Sequence, residues 1–197
     1  MKHVISAARF SGVELSEDQL QRLKTYSTWL TTEGLRGGGI GPAEADRVER
    51  RHLADSILFA SQFSHEIGEV WDLGSGVGLP GIPLAIALPT VQFRLVDRSG
   101  RRAQLLRRIL RILDLANCVV IEGEVSRLVG RVEVLVARAS LDPETMLPVA
   151  RRHLLPGGVT VLGGSWHRPP DHYGWVTVEI PADVLDQTVW LLIMRHE

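Results

Sequence analysis

Apolar residues change their spacing along this chain of 197 residues, and the change divides it into a helical beginning and an alternating remainder. Leu20, Leu23, Tyr26 or Ser27, and Leu30 recur at three- to four-residue steps, the period of one helix face. Ser16-Glu17-Asp18-Gln19 is a capping-box pattern at the start of that helix, because a Ser hydroxyl and a Gln three residues later can satisfy each other's backbone N–H groups. The helix is expected to end before Gly34. Residues 34–41, with Gly37-Gly38-Gly39 and Gly41-Pro42, read as a flexible loop. A second helical region is expected over residues 44–63, with Val48, Leu53, Ile57 and Leu58 as its apolar positions.

From residue 69 onward short apolar runs take over. Strands are expected at 69–73, 91–96, 118–121 and 132–136, with helices between them at 82–88 and 100–115. Asp142-Pro143-Glu144 opens a further helix, with Asp as N-cap and Pro in the first turn. Pro156-Gly157-Gly158 should close the segment after it, and three more strands are expected at 159–162, 176–180 and 188–194. Such alternation predicts an α/β fold, a doubly wound and mostly parallel sheet with an antiparallel edge. The chain is expected to form one compact unit, with a helical extension over residues 1–66 and a core over 67–197.

Composition narrows the class. With 45% hydrophobic and 23% charged residues and 10 Pro, disordered, collagen-like and disulfide-scaffold classes are excluded. Cys118 has no partner for an internal bridge and reads as a small core hydrophobe in a reducing compartment. The longest apolar stretches, 82–88 and 190–194, fall far short of the roughly 20 residues that span a bilayer. No long apolar segment follows Met1-Lys2-His3, so a cytoplasmic protein without membrane attachment is expected.

A net charge of −1 predicts no polyanion partner by itself, but residues 70–140 carry 10 basic against 6 acidic side chains. In the helix after Asp97, Ala103, Leu106, Ile109, Leu110 and Leu113 fall on one half, while Gln104, Arg107, Arg108 and Arg111 fall on the other. That stripe is either a phosphate-binding surface for RNA or a solvated face; no acid within the helix balances it.

Asp72-Leu73-Gly74-Ser75-Gly76-Val77-Gly78-Leu79-Pro80-Gly81 joins a strand to a helix, the context of a nucleotide-binding loop. A dinucleotide fingerprint can be threaded through Gly76, Gly78 and Gly81, with Asp97 holding a ribose, although this puts the first glycine far from the strand. The alternative is a loop for S-adenosyl-L-methionine, in which Asp72 and Asp97, at the ends of two neighbouring strands, suit a methionyl ammonium and a ribose diol.

Arg51-His52-Leu53-Ala54-Asp55-Ser56, the run from Asp72 to Ile86, Leu95-Val96-Asp97 and Ala137-Arg138-Ala139 carry a closer resemblance. In their order and spacing, over about residues 50–164, the chain resembles the small-subunit ribosomal RNA guanine-N7 methyltransferases, the RsmG or GidB family. The resemblance implies a class I methyltransferase (Rossmann-like) fold and methyl transfer from S-adenosyl-L-methionine to N7 of a guanine in 16S ribosomal RNA. It also implies that Gly74 and Leu79 contact the cofactor, that Val125 and Ser126 flank its adenine, and that Arg138 positions substrate and cofactor. The expected partner is ribosomal RNA or the small ribosomal subunit, with the chain acting as a monomer and without metal. The chain departs from the family pattern at 31–41 and at Gly123-Glu124-Val125-Ser126-Arg127. Those departures leave an alternative, a member that binds S-adenosyl-L-methionine but has a changed or lost RNA target.

The chemistry so implied asks little of side chains. Guanine N7 carries an exposed, unprotonated lone pair, so alignment suffices, and alignment can supply roughly 7–11 kcal/mol in favourable cases. No Ser-His-Asp or Cys-His arrangement is evident. His52 and Asp55 share a helix face, where a hydrogen bond tying His52 to Asp55 or to the loop is expected rather than catalysis. His167, Asp171 and His172 lie in a proline-bearing segment that reads as a solvated loop, not a metal site.

Overall fold

The computed structural model of the protein describes residues 1–36 and 40–197, so the glycine triplet of the expected flexible loop lies outside the described residues. The chain opens with α1 (Lys2–Phe10), which the apolar spacing did not suggest; it buries only the small Val4, Ala7 and Ala8. Helix α2 (Glu17–Trp29) starts at the expected capping box, with Gln19 N–H donating to Ser16 Oγ at 3.3 Å and Ser16 N–H to Gln19 Oε1 at 2.8 Å. It does not stop before Gly34. A π turn (Leu30–Gly34) carries it on, and the backbone stays helical through Arg36. Gly34 is buried where a Cβ would press on Leu30 and Trp29, so this glycine serves packing rather than termination.

The second helical region is helical but irregular: a 3-10 segment (Pro42–Arg47), a π segment (Val48–Ala54), one α turn, α3 (Asp55–Ile57), and a 3-10 segment (Leu58–Gln62).

Strands and helices then alternate as expected: β1 (Glu69–Leu73), α4 (Gly81–Ala87), β2 (Gln92–Asp97), α5 (Gly100–Leu113), β3 (Cys118–Glu122), β4 (Val132–Arg138) and α6 (Pro143–His153). Asp142 caps α6 by accepting from Thr145 N–H at 2.7 Å. β5 (Leu154–Ser165), β6 (Val176–Ile180), a short α7 (Ala182–Leu185) and β7 (Val189–Arg195) complete the fold. Two expectations are corrected here. Pro156-Gly157-Gly158 does not break the chain but lies inside β5, where the register jumps from Val132↔Leu154 to Val134↔Val159 and a bulge absorbs the extra residues. The antiparallel strand β7 is not the edge; it sits between β5 and β6.

The seven strands run in the order β3-β2-β1-β4-β5-β7-β6, parallel from β3 through β5. Alternate side chains of each strand build two cores. Val70, Phe93, Leu95, Val134 and Val136 face α1, α2, the 42–62 segment, α4 and α5. Trp71, Leu73, Val96, Leu135 and Ala137 face the other way, where Met146 and Ala150 of α6 cover them. Among the described residues no helix is long and apolar enough to cross a membrane. The order reverses at β1, whose neighbours β2 and β4 lead the chain in opposite directions, and a crevice opens at the carboxyl ends of these strands.

Candidate active site

The loop after β1 is folded by its own backbone. Gly74 and Ser75 N–H groups both donate to Val96 O, at 2.8 and 3.0 Å, which ties the loop to the end of β2. Gly74 has φ +74°, and a Cβ there would lie 2.5 Å from the Cβ of Ser140, so the position admits only glycine without rearrangement. Ser140 reaches it from beyond β4, donating its hydroxyl to Leu73 O at 2.7 Å. Gly81 is needed for close approach instead: a Cβ would meet Leu95 at 2.3 Å and Asp72 Oδ2 at 2.6 Å.

The two carboxylates at the strand ends have different surroundings. Asp97 faces the crevice with Oδ2 accepting from Gly76 N–H and Oδ1 from Ser99 N–H, both at 2.9 Å. Each oxygen keeps a further lone pair for a ligand hydroxyl. Asp72 is fully buried and is not part of the crevice wall. Its Oδ2 accepts from Gly81 N–H at 3.0 Å while Oδ1 has no partner, and burial pushes its carboxyl up to about 7. The structure therefore does not bring Asp72 to a ligand ammonium; it sets this side chain behind the loop, where it holds the start of α4.

Side chains remote in sequence make the opposite wall. The Arg138 guanidinium, at the end of β4, donates from Nε to Asp55 Oδ2 at 3.1 Å, from one terminal nitrogen to His52 Nδ1 at 3.1 Å and from the other to Arg51 O at 2.7 Å. His52 and Asp55 do share a face, but each is bound to Arg138 rather than to the other. Burial, reinforced by Arg138 and Arg51, lowers the His52 imidazole to about 3 and so keeps it neutral. Since a guanidinium can only donate, His52 Nδ1 must accept and Nε2 must carry the hydrogen. That Nε2 is buried without a hydrogen-bond partner, 3.5 Å from Glu44 Oε2. Arg51 in turn stacks on Trp166, its guanidinium carbon 4.5 Å from the ring centroid.

Together these residues enclose a crevice of about 1170 Å³. Gly74, Gly76, Leu79, Asp97, Val125, Ser126 and Arg138, all marked out by the sequence, line it. So do Glu44, Arg51, Ser99, Arg102, Glu124 and Ser140, which the sequence did not mark out. Val125 and Ser126 sit on a 3-10 turn (Val125–Arg127) that α6 steadies through Arg152, a donor to Ser126 O at 3.3 Å.

Residues 19–167 match the family model of GidB, rRNA small subunit methyltransferase G. The chain belongs to the GidB family. It is 38% identical over 150 residues to the ribosomal RNA small subunit methyltransferase G of Mycobacterium sp. (strain KMS), a match that covers 72% of this chain and 64% of the relative. A relative of the same name from Acidothermus cellulolyticus is 39% identical over 135 residues, covering 68% of this chain and 60% of the relative. The match thus spans just under two thirds of these relatives' length. Among solved structures, the precorrin-6y C5,15-methyltransferase of Geobacter metallireducens superposes with a TM-score of 0.50 at 15% identity, over 66% of this chain and 81% of that one. This likeness and the strand order make the fold a class I methyltransferase, Rossmann-like one.

In this GidB-family chain the arginine stripe of α5 lies outside the crevice and is not free of acids. Arg107 pairs with Glu122 of β3 at 3.2 Å and Arg108 with Glu33 at 2.9 Å. A helical wheel cannot see partners that other elements bring. Arg111 is exposed in the last turn of the helix. Cys118 is buried in β3 with its thiol pushed up to about 12 by burial, a poor nucleophile.

Sequence reasoning missed Glu44 because nothing in its surroundings marks it; only the fold carries the 42–47 turn to the crevice. Ser140 had a faint signal in its place just past the strand end, two residues after Arg138. Ala139 between them takes φ +53°, a conformation uncommon for alanine that turns the chain back over the loop.

Proposed function

We propose that this chain transfers a methyl group from S-adenosyl-L-methionine to N7 of a guanine in 16S ribosomal RNA. The observation that carries the reading is the crevice, set at the reversal of strand order, with one wall made of loop backbone and Asp97. Its volume of about 1170 Å³ exceeds the roughly 300–1,000 Å³ of ordinary ligand sites, which leaves room for a cofactor and a flipped base together. The residues present fit the cofactor: Asp97 has lone pairs for a ribose diol, Val125 and Ser126 offer walls for an adenine, and Gly74 and Leu79 border the space between. Bound there, S-adenosyl-L-methionine would supply an electrophilic methyl group. Membership of the GidB family supports the choice of substrate.

The chain's own part is to bind, orient and exclude water. N7 attacks with a lone pair it already has, so neutral His52 need not serve as a base. RNA phosphates would lie along α5, where Arg101 reaches the crevice rim and Arg107, Arg108 and Arg111 are exposed. Exposed ion pairs such as Arg107–Glu122 are worth only about 0–1 kcal/mol, so a phosphate can replace the carboxylate at little cost. Ribosomal RNA, or the small subunit that contains it, is the proposed partner, which accords with a cytoplasmic site of action.

The departures at 31–41, and Glu124 on the crevice wall, favour a second reading in which the cofactor site is kept and the RNA target has changed. One experiment separates the two. N7-methylguanine is mapped in ribosomal RNA from cells with and without the protein, and purified protein is supplied with labelled cofactor and small subunits. Loss of one N7-methylguanine from 16S RNA, restored in vitro, is expected. An unchanged map alongside calorimetric binding of S-adenosyl-L-methionine would select the second reading, and absence of cofactor binding would overturn both.

A further inference from the structure

The crevice wall opposite the glycine loop holds a polar arrangement that cofactor binding leaves unexplained. His52 is more than nine-tenths buried, and its Nε2–H has no hydrogen-bond partner although its ring lines the crevice. A buried donor left unmade costs about 1–3 kcal/mol, so its retention in a ligand-sized space points to an acceptor that arrives with a ligand. Beside it, 3.5 Å away, stands the Glu44 carboxylate, itself on the crevice wall and only partly exposed. The donor's identity is fixed from behind: Arg138 occupies Nδ1, and Asp55 and Arg51 O hold Arg138. The wall therefore presents one fixed donor next to an anionic pair of acceptors.

The Watson–Crick edge of guanine is the complement of that pattern, with one acceptor, O6, followed by two donors, N1–H and the 2-amino group. Adenine offers a donor where guanine has O6 and an acceptor at N1. We propose that His52 and Glu44 form a guanine-reading subsite, in which His52 Nε2–H donates to O6 and the Glu44 carboxylate accepts from N1–H and the 2-amino group. This rests on the guanine reading above and adds to it the residues that choose the base. The geometry also serves the reaction: contacts along the Watson–Crick edge leave N7, on the other edge of the base, free to face the methyl donor.

The test uses the full chain with S-adenosylhomocysteine and a short RNA spanning the mapped target, made with guanine, inosine or 7-deazaguanine at that position. Inosine lacks only the 2-amino group, and losing one hydrogen bond to a carboxylate should weaken its binding about tenfold or more relative to guanine. Glu44→Ala should bind the guanine RNA more weakly and no longer tell it from inosine, whereas affinity for S-adenosylhomocysteine stays as in the wild type. Equal binding of guanine and inosine RNAs by the wild type, or a preference that survives Glu44→Ala, overturns the subsite. The 7-deazaguanine RNA reports on the parent reading separately: it should bind like guanine yet accept no methyl group. Methylation of that RNA at the target position would overturn N7 transfer whatever the inosine result.

Discussion

The two walls of the crevice are built by opposite means. On one side, Gly74, Gly76 and Asp97 are arranged by backbone hydrogen bonds between the ends of two adjacent parallel strands. On the other, Arg138 is joined to Asp55 across 83 positions of chain and to His52 across 86, through charged side chains sunk in the protein. A wall made of backbone is rigid because every polar group already has its partner. A wall made of buried charge holds only while each member is present, since an unpaired charge in that setting is strongly unfavourable.

The hardest blow to the side-chain wall is Arg138→Ala. Asp55, with no exposure to solvent, would keep only Arg51 at 3.6 Å, and a loss of about 3–5 kcal/mol in unfolding free energy is expected. Urea unfolding measures it. A midpoint unchanged from the wild type would mean that the 42–62 segment is held to β4 by its apolar contacts alone.

The walls should also differ in their response to pH. Asp72, behind the backbone wall, is raised from 3.8 to about 7, so between pH 4 and 7 the folded state keeps a proton that the unfolded chain releases. Stability from this group falls as pH rises through that window. His52, in the other wall, is lowered from 6.5 to about 3, so the folded state refuses a proton that the unfolded chain takes up. Its effect has the opposite sign, with stability falling as pH drops from 6.5 to 3. At 1.36 kcal/mol per pH unit each group contributes up to about 4 kcal/mol, and the two slopes oppose each other between pH 4 and 6.5. Asp72→Asn should remove the decline toward neutral pH, and His52→Gln the decline toward acid. Unfolding free energies at pH 4, 6 and 8 decide the matter, and parallel profiles for wild type and both variants would count against the two assignments.

Legibility in the sequence followed the same division. Strand ends, capping residues and the glycine loop are local features, and β1, β2, β3, α5 and the N-cap of α6 stand within a residue or two of where their spacing put them. The crevice residues adjacent to those features were found with them. Glu44, and the part Arg138 plays between His52 and Asp55, depend on contacts between distant segments that no local pattern encodes. Asp72 shows the reverse failure: its position at a strand end was read correctly, yet the pleat turns it under the loop and away from the space it was expected to serve. The arginine stripe failed for the same long-range reason, because Glu33 and Glu122 reach it from other elements.

A smaller change tests whether the backbone wall tolerates any side chain at its closest approach. Gly74→Ala must adopt φ +74° and place a methyl against Ser140, and the left-handed conformation alone costs roughly 1–2 kcal/mol. If the strain moves the loop, cofactor affinity measured by calorimetry should drop about tenfold, the equivalent of 1.4 kcal/mol. Adding Ser140→Gly should recover the steric part of the loss and leave the conformational part. Full affinity in the single variant would show that the wall gives way more easily than its hydrogen bonding implies.

The mildest perturbation probes the link between the helical extension and the backbone wall. Tyr26 of α2 is fully buried, stacks on Trp29 with ring centroids 6.1 Å apart, and donates its hydroxyl to Val77 O at 2.8 Å in the middle of the glycine loop. Burial raises its pKa well above 10, which keeps it a donor at any working pH. Tyr26→Phe removes one neutral hydrogen bond and leaves a carbonyl without its partner, at about 1 kcal/mol, or roughly 2–4 °C in Tm for a chain of this size. If α2 merely covers the sheet, cofactor affinity will stay at the wild-type value while Tm falls. If α2 sets the shape of the loop, affinity will fall by severalfold along with Tm, and the backbone wall will prove to depend on a side chain after all.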